Sequence, residues 1–411
     1  MKSRLHLLLF GAMAMFAGAF VSCSDDDLGP TIFDTTYHPL DRTQYTFPLD
    51  TFIEKEFREP YNLRFLYKME DIGSNMNYNL VPCSYENSMK FAVLSKYLWY
   101  DIYKKIGGVE FLKKYSPRII HLIGSPAYNP SSGTELLGVA EGGLKITLYK
   151  GNELDVTSID SLNEYFFRTM HHEFNHILHQ NVVIPVEFRD LSNGSYNALN
   201  WQDTNDSIAL SNGFMLQYAS SGYREDWVEI VANYVTRDRA TWDGFINTAG
   251  FGWENDSIEP ARYNAMVNTP GVNMDSVGYR TFKDLAASGG GIAQYGIIRK
   301  QIQRDMNDKP VLDEDGNMIY LDTDGIDGRA LLLRKFEIVK EWLQTNFGID
   351  LEALRKEVQN RQFVTNADGS YVLDEKGKPL NKLMAPSDTD PSKTLMETLL
   401  DEVNKYKELQ K

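Results

Sequence analysis

Apolar positions recur along the chain with two periods, and these mark out its elements. From Asn87 to Ile106, Phe91, Leu94, Leu98, Ile102 and Ile106 keep the 3.6-residue spacing of a helix with one buried face, and Gly107-Gly108 stops it. Leu162, Phe166, Met170, Phe174 and Ile177 repeat the pattern from about Ser158 to His179, with Thr157 or Ser158 placed to cap the first turn. A further helix is expected from about Arg224 to Ala240, on the stripe Trp227, Val231 and Tyr234. Tyr61–Met69 alternates and is rich in aromatic residues, which predicts a strand, and Arg118–Ile123 and Leu144–Lys150 predict two more. Asp313–Tyr320 and Asn366–Leu373 carry Asp-Gly turns between strand-prone residues and predict hairpins. The rest of the chain beyond residue 250 reads as mainly helical.

The expected fold class is therefore α+β. A small N-terminal sheet precedes the central helices in a domain over residues 56–250, and a mainly helical C-terminal lobe over 251–411 supplies the far wall of the cleft. Asp322–Gly328 is acidic enough to suggest calcium. However, position five of such a loop would be Ile326, which has no ligand atom, so a simple loop is expected.

The first residues read as an address. Lys2 and Arg4 precede an apolar stretch from Leu7 to Val21, too short and too rich in alanine and glycine to span a bilayer comfortably. Residues 1–22 are thus expected to be an export signal, with 23–55 a tether and lead-in to the folded part. Phe20-Val21-Ser22-Cys23 resembles the lipobox of bacterial lipoproteins, with Phe20 where leucine is usual. The resemblance implies that Cys23 is acylated, that a lipid anchor is the chain's one attachment to membrane, and that it sits at the outer membrane. Asp25–Asp27 resembles the surface-export signal of some such lipoproteins and implies exposure at the cell surface.

Composition narrows the partners. With 42 Lys+Arg against 57 Asp+Glu, the formal charge of −15 argues against nucleic acid and against adhesion to anionic lipid. Loss of Lys2 and Arg4 with the signal takes that charge from −15 to −17. Only two cysteines are present, so no disulfide framework is possible, and Cys83 is expected to be a buried packing residue.

Chemistry concentrates in one helix. Four of the seven histidines, His171, His172, His176 and His179, fall on the predicted segment ending at His179, and residues 172–176 read HEFNH, an HExxH motif. Positions i and i+4 share one helical face, so both imidazoles reach one zinc ion while Glu173 projects beside them as a general base. A third ligand is still needed. The metzincin pattern requires Gly and His where this chain has His179 and Val182, so it is excluded. His179 lies about 4.5 Å further up the axis than His176. It is expected to hydrogen-bond behind a ligand or to pack the helix end. His38 and His121 are the remaining imidazoles of the mature chain, which makes a carboxylate the expected third ligand. Glu225 and Glu229, again i and i+4, are candidates.

HEFNH followed by EDWVE resembles the gluzincin clan, which includes thermolysin. The resemblance implies that Glu225 binds zinc and that Glu229 supports a ligand histidine through its free ring nitrogen. Residues 177–224 separate the motifs by more than in thermolysin, which leaves an exchange of those two roles open. It also implies a zincin-like fold and, by its position before Glu225, a Tyr218 hydroxyl that stabilises the oxyanion. With the lipobox, the chain is further similar to the substrate-import-associated zinc metallohydrolase lipoproteins. That family implies a peptide or protein substrate and a TonB-dependent importer as partner. The alternative expectation is a non-catalytic lipoprotein that captures peptide or glycan for such an importer; a purely structural zinc lobe is a further one.

Overall fold

The computed structural model describes residues 40–69, 78–128, 135–136, 138–141, 144–250 and 328–410, with scattered positions from 300 to 322. The export signal, Cys23, His38 and the boundary expected just past residue 250 lie outside the described residues, as do most of the hairpin at 313–320 and of the loop at 322–328. The chain divides into two units, Met1–Gln44 and Tyr45–Lys411. The fold below is that of the second.

Helix α1 (Phe47–Ile53) opens it, with Pro48 in the first turn, where a missing N–H costs nothing. Phe47, Leu49, Phe52 and Ile53 are all buried, so the folded part begins earlier than the expected position 56. Four strands follow: β1 (Arg64–Leu66), β2 (Ile119–Leu122), β5 (Gly138–Glu141) and β6 (Lys145–Leu148) form one sheet in the order β1-β2-β6-β5. The first three in that order run parallel, with Phe65, Ile120 and Ile146 in register, and β5 closes the edge antiparallel to β6. A two-residue pair, β3 (Ala127–Tyr128) and β4 (Glu135–Leu136), precedes that edge. Strand β1 is shorter than expected, because Tyr61 still belongs to a helical turn that Asn62 ends at φ 54°.

Parallel strands require a crossover, and helices α2 (Tyr85–Ser95) and α3 (Asp101–Gly107) supply it between β1 and β2. Ser84 caps α2, and a π-helical turn, Lys96–Tyr100, joins it to α3. The helix predicted over 87–106 is therefore continuous, and Gly108 ends it at φ 86°. The predicted helix from Ser158 is likewise present. Ser158 caps it, Asn163–Phe167 forms another π-helical turn, and α4 (Arg168–Asn181) carries the histidines.

Helix α5 (Tyr223–Thr236) packs against α4 and is enclosed, with every residue from Asp226 to Thr236 buried. Helices α6 (Gly328–Phe347) and α7 (Leu351–Gln362) pack on α5, where Trp342 meets Trp227 edge-on at 4.9 Å. One apolar core runs from Leu49 to Val403, so helices on both sides of residue 250 share it. The hairpin expected at 366–373 is present, with Thr365 paired to Tyr371 and Gly369 at φ 85° in its turn. Cys83 is a buried free thiol that burial pushes up in pKa. Among the described residues no helix is long and apolar enough to cross a membrane.

Candidate metal centre

Helix α4 lies under the edge of the sheet. Gly138 of β5 approaches it so closely that a Cβ there would stand 2.3 Å from Thr169 Cγ2. Met170, Phe174, Ile177 and Leu178 face the core, which leaves His172 and His176 turned toward α5. There the residues form two ladders at four-residue steps. Arg168, His172 and His176 on α4 meet Glu225, Glu229 and Asn233 on α5. Arg168 and His172 contact Glu229, and His176 contacts Glu225, so the helices run antiparallel.

The upper rungs converge. His172 Nε2 and His176 Nε2 lie 3.2 Å apart, and Glu225 Oε2 lies 3.2 Å from each. Ligand atoms about 2.0–2.1 Å from a tetrahedral zinc stand roughly 3.3–3.4 Å from one another. The triangle therefore matches three corners of such a site and leaves the fourth open. One donor atom each of His172, Glu173 and His176 also falls within 4.8 Å of the others. The Glu225 oxygen, at 3.2 Å from both Nε2 atoms, lies well inside that limit, with Glu173 beside it.

The proton positions suit a metal. Glu229 Oε1 can only accept, so the 2.7 Å contact makes His172 Nδ1 the donor and leaves Nε2, which faces Glu225, as the nitrogen open to a metal once its own proton is lost. His176 Nδ1 and His179 Nε2 are 2.8 Å apart, and a proton on that Nδ1 leaves His176 Nε2 free as well. His179 is thus a hydrogen-bond partner of His176. The other oxygen of Glu229 accepts from Arg168 at 3.2 Å and Asn233 at 2.8 Å, so neither points at the triangle.

The electrostatics follow from crowding these groups away from water. Burial pulls His172 down, but its bonds to Glu225 and Glu229 win and push it up to about 10. Burial alone would raise Glu225, yet hydrogen bonds from His172 and His176 hold it well below the usual carboxylate range. Glu229, likewise opposed by burial, is held down to about 2 by Arg168 and His172. Glu173 shifts upward, because burial and the negative charge of Glu225 and Glu229 outweigh the two histidines. His179 falls to about 4 through burial and the neighbouring His176, and buried His171 to about 3.

The cleft extends on both sides of Glu173. One part, about 790 Å³, reaches His179, Val183, Arg189 and Arg224. The other, about 370 Å³, reaches Thr169, Trp201 and Gln217. Leu136, Gly138 and Tyr218 border both. Tyr218 stacks on His172 at 6.1 Å and meets Trp201 edge-on at 5.0 Å, and burial and Glu225 raise its phenol. Every described residue lining the two parts lies between 136 and 229. Among the described residues, the C-terminal helices pack on α5 and line neither part; residues 251–299, which belong to the lobe expected to form the far wall, lie outside the described residues.

Over residues 42–352 the chain matches the family model described as "Putative zinc-binding metallo-peptidase". The chain belongs to this family. Zinc is the metal this metallo-peptidase family is described as binding, and two imidazole Nε2 atoms with a carboxylate oxygen are a donor set that fits it. The chain is also similar to a crystal structure of a putative zinc-binding metallo-peptidase from Bacteroides caccae ATCC 43185. Identity is 29% and the TM-score 0.53, over 79% of this chain and 94% of that one. No curated protein matches. For this member of the metallo-peptidase family, sequence reasoning missed Arg168, Asn233, Trp201 and the β5 edge. Arg168 and Asn233 were open to discovery, since each extends a ladder by one four-residue step.

Proposed function

We propose that the chain is a zincin-like peptidase of gluzincin type, held at the outer membrane through acylated Cys23. The 3.2 Å triangle of His172, His176 and Glu225 beside Glu173 carries this reading. When bound by these three residues, zinc supplies Lewis acidity, which lowers the pKa of water toward neutrality and polarises a carbonyl. Glu173 takes a proton from the attacking water and passes it to the leaving amine, a task suited to a carboxylate with a raised pKa. Glu229 and His179 hold the two ligand imidazoles in the tautomer that presents Nε2. Tyr218 donates its hydroxyl to the developing oxyanion. The lipobox and the acidic run after it support a surface lipoprotein of the substrate-import-associated type, delivering peptide products to a TonB-dependent importer.

The test is elemental analysis of the soluble chain from Ser24 onward, beside Glu225→Ala and Glu173→Gln. One zinc per chain, lost with Glu225→Ala and kept with Glu173→Gln, is expected, with peptide hydrolysis lost in both. Wild type without zinc after reconstitution overturns the reading. Zinc retained without any Glu173-dependent turnover across a broad peptide library would replace it with capture of peptide or glycan.

A further inference from the structure

The two parts of the cleft differ in charge. In the smaller part, Arg168 is committed to Glu229 and Glu164, at 3.2 Å each, and Trp201, Gln217 and Thr169 complete a neutral, partly aromatic lining. The larger part holds two arginines without such commitments. Arg224 is exposed and, among the described residues, pairs with no carboxylate; its guanidinium lies 5.4 Å from the Tyr223 ring centre. Among the described residues Arg189 pairs only with Asp190, at 3.6 Å with both side chains about half exposed, a pair worth little. Among the described residues, the acids that line this part are Glu173 and Glu225, and both belong to the proposed metal centre.

Resting on the peptidase reading above, we infer that Arg189 and Arg224 form a subsite for a substrate carboxylate, on the side of the scissile bond that faces His179. An acidic side chain and a free C-terminus offer the same chemistry. Guanidinium groups suit it because their planar fork meets both carboxylate oxygens. Val183 and Val186, both exposed beside the arginines, give the stem of such a residue an apolar surface. The net charge of −15 does not oppose this. At physiological ionic strength charges beyond about 8 Å are largely screened, whereas a bound carboxylate touches the arginines directly.

The experiment measures binding by calorimetry to the zinc-loaded chain. The probes are short peptide hydroxamates extended in either direction from the metal-binding group. Within each direction one position is Glu, Ala or Lys, and the terminus is a free acid or an amide. For one direction only, a carboxylate probe is expected to bind about tenfold more tightly than its Ala amide counterpart, and the Lys probe more weakly than either. Raising salt should shrink the difference. A gain confined to the Glu probe assigns the subsite to side chains, and one confined to the free acid assigns it to the terminus. Arg189→Gln/Arg224→Gln should bring the carboxylate probe down to the Ala level with zinc content and melting temperature kept. Equal binding, a preference for Lys, or a preference that survives the double variant overturns the inference while leaving the metal centre intact. Should no hydroxamate bind better than the matching plain peptide, the metal reading fails instead. The same Glu and Lys peptides without hydroxamate then decide the subsite, and equal binding overturns it.

Discussion

Glu229 receives the Nδ1 proton of His172 across 2.7 Å and, through its second oxygen, holds Arg168. One buried carboxylate thus orients the His172 imidazole and meets the Arg168 cation, with both of its oxygens engaged. Glu225, one helical turn earlier, instead stands 3.2 Å from Nε2 of both His172 and His176.

Removing that support should weaken the site without abolishing it. Glu229→Ala is expected to lower zinc affinity about 10–100-fold, the range for losing a partner behind a ligand histidine. Glu225→Ala should lose binding outright. Competition titration against a chromophoric chelator separates the two. Equal losses would mean that Glu229 is itself a ligand.

Tyr218 stacks on His172 and belongs to neither ladder. Tyr218→Phe should keep zinc content and melting temperature and cut kcat by about 10²–10³, with KM little changed. A variant that raises KM alone would make Tyr218 a substrate-packing residue.

The pair Asp226–Lys335 is wholly buried at 2.6 Å, and Lys335 also donates to the Gly213 carbonyl at 2.6 Å. Tyr196 donates to the same carboxylate at 3.0 Å. Burial drives Asp226 up and Lys335 down in pKa, each toward its neutral form. Lys335→Met leaves an acid in the core with no countercharge and should cost about 3–5 kcal/mol in urea unfolding. Asp226→Asn/Lys335→Met should recover most of that loss. If the double variant is as unstable as the single one, the pair is not the source of the cost.

A pH dependence follows from Glu164, which lies between Arg168 and Arg237. Burial opposes the shift, but the two arginines hold its folded pKa below the ordinary value of 4.5. A depressed carboxylate contributes stability above its unfolded pKa, and that contribution fades as pH falls through the folded one. Glu164→Gln should therefore be less stable than wild type at pH 7, with the gap closing below pH about 4.5. Melting curves across that range check it, and a gap that does not narrow as pH falls below about 4.5 contradicts it.

Local periodicity made the chemistry legible. His172, Glu173 and His176 sit within five residues of one helix, and Glu225 and Glu229 within five of another, so the spacing alone placed each set on a face. That the two faces meet depends on the packing of α5 between α4, α6 and α7, which no single segment encodes. Strand β5 escaped notice because Gly138–Glu141 is four residues long and becomes a strand only by pairing with β6. Helix α1 escaped for another reason. Its segment contains Pro48, and the turn after it contains Pro60, residues that suggest loop until each is seen in the first turn of a helical piece. Arg168 was visible as the step before His172 but reads as an ordinary surface charge until its partner Glu229 is known.

The two ladders depend on helical repeat and on the packing of α5 against α4, so the stretch from Val182 to Gly222 does not have to keep any particular length for the triangle to form. It lends Tyr218, Trp201, Arg189 and Val183 to the cleft. Insertions and exchanges in that stretch can reshape the cleft while the two helices keep the triangle in place, so the shape of the cleft and the geometry of the triangle can vary independently.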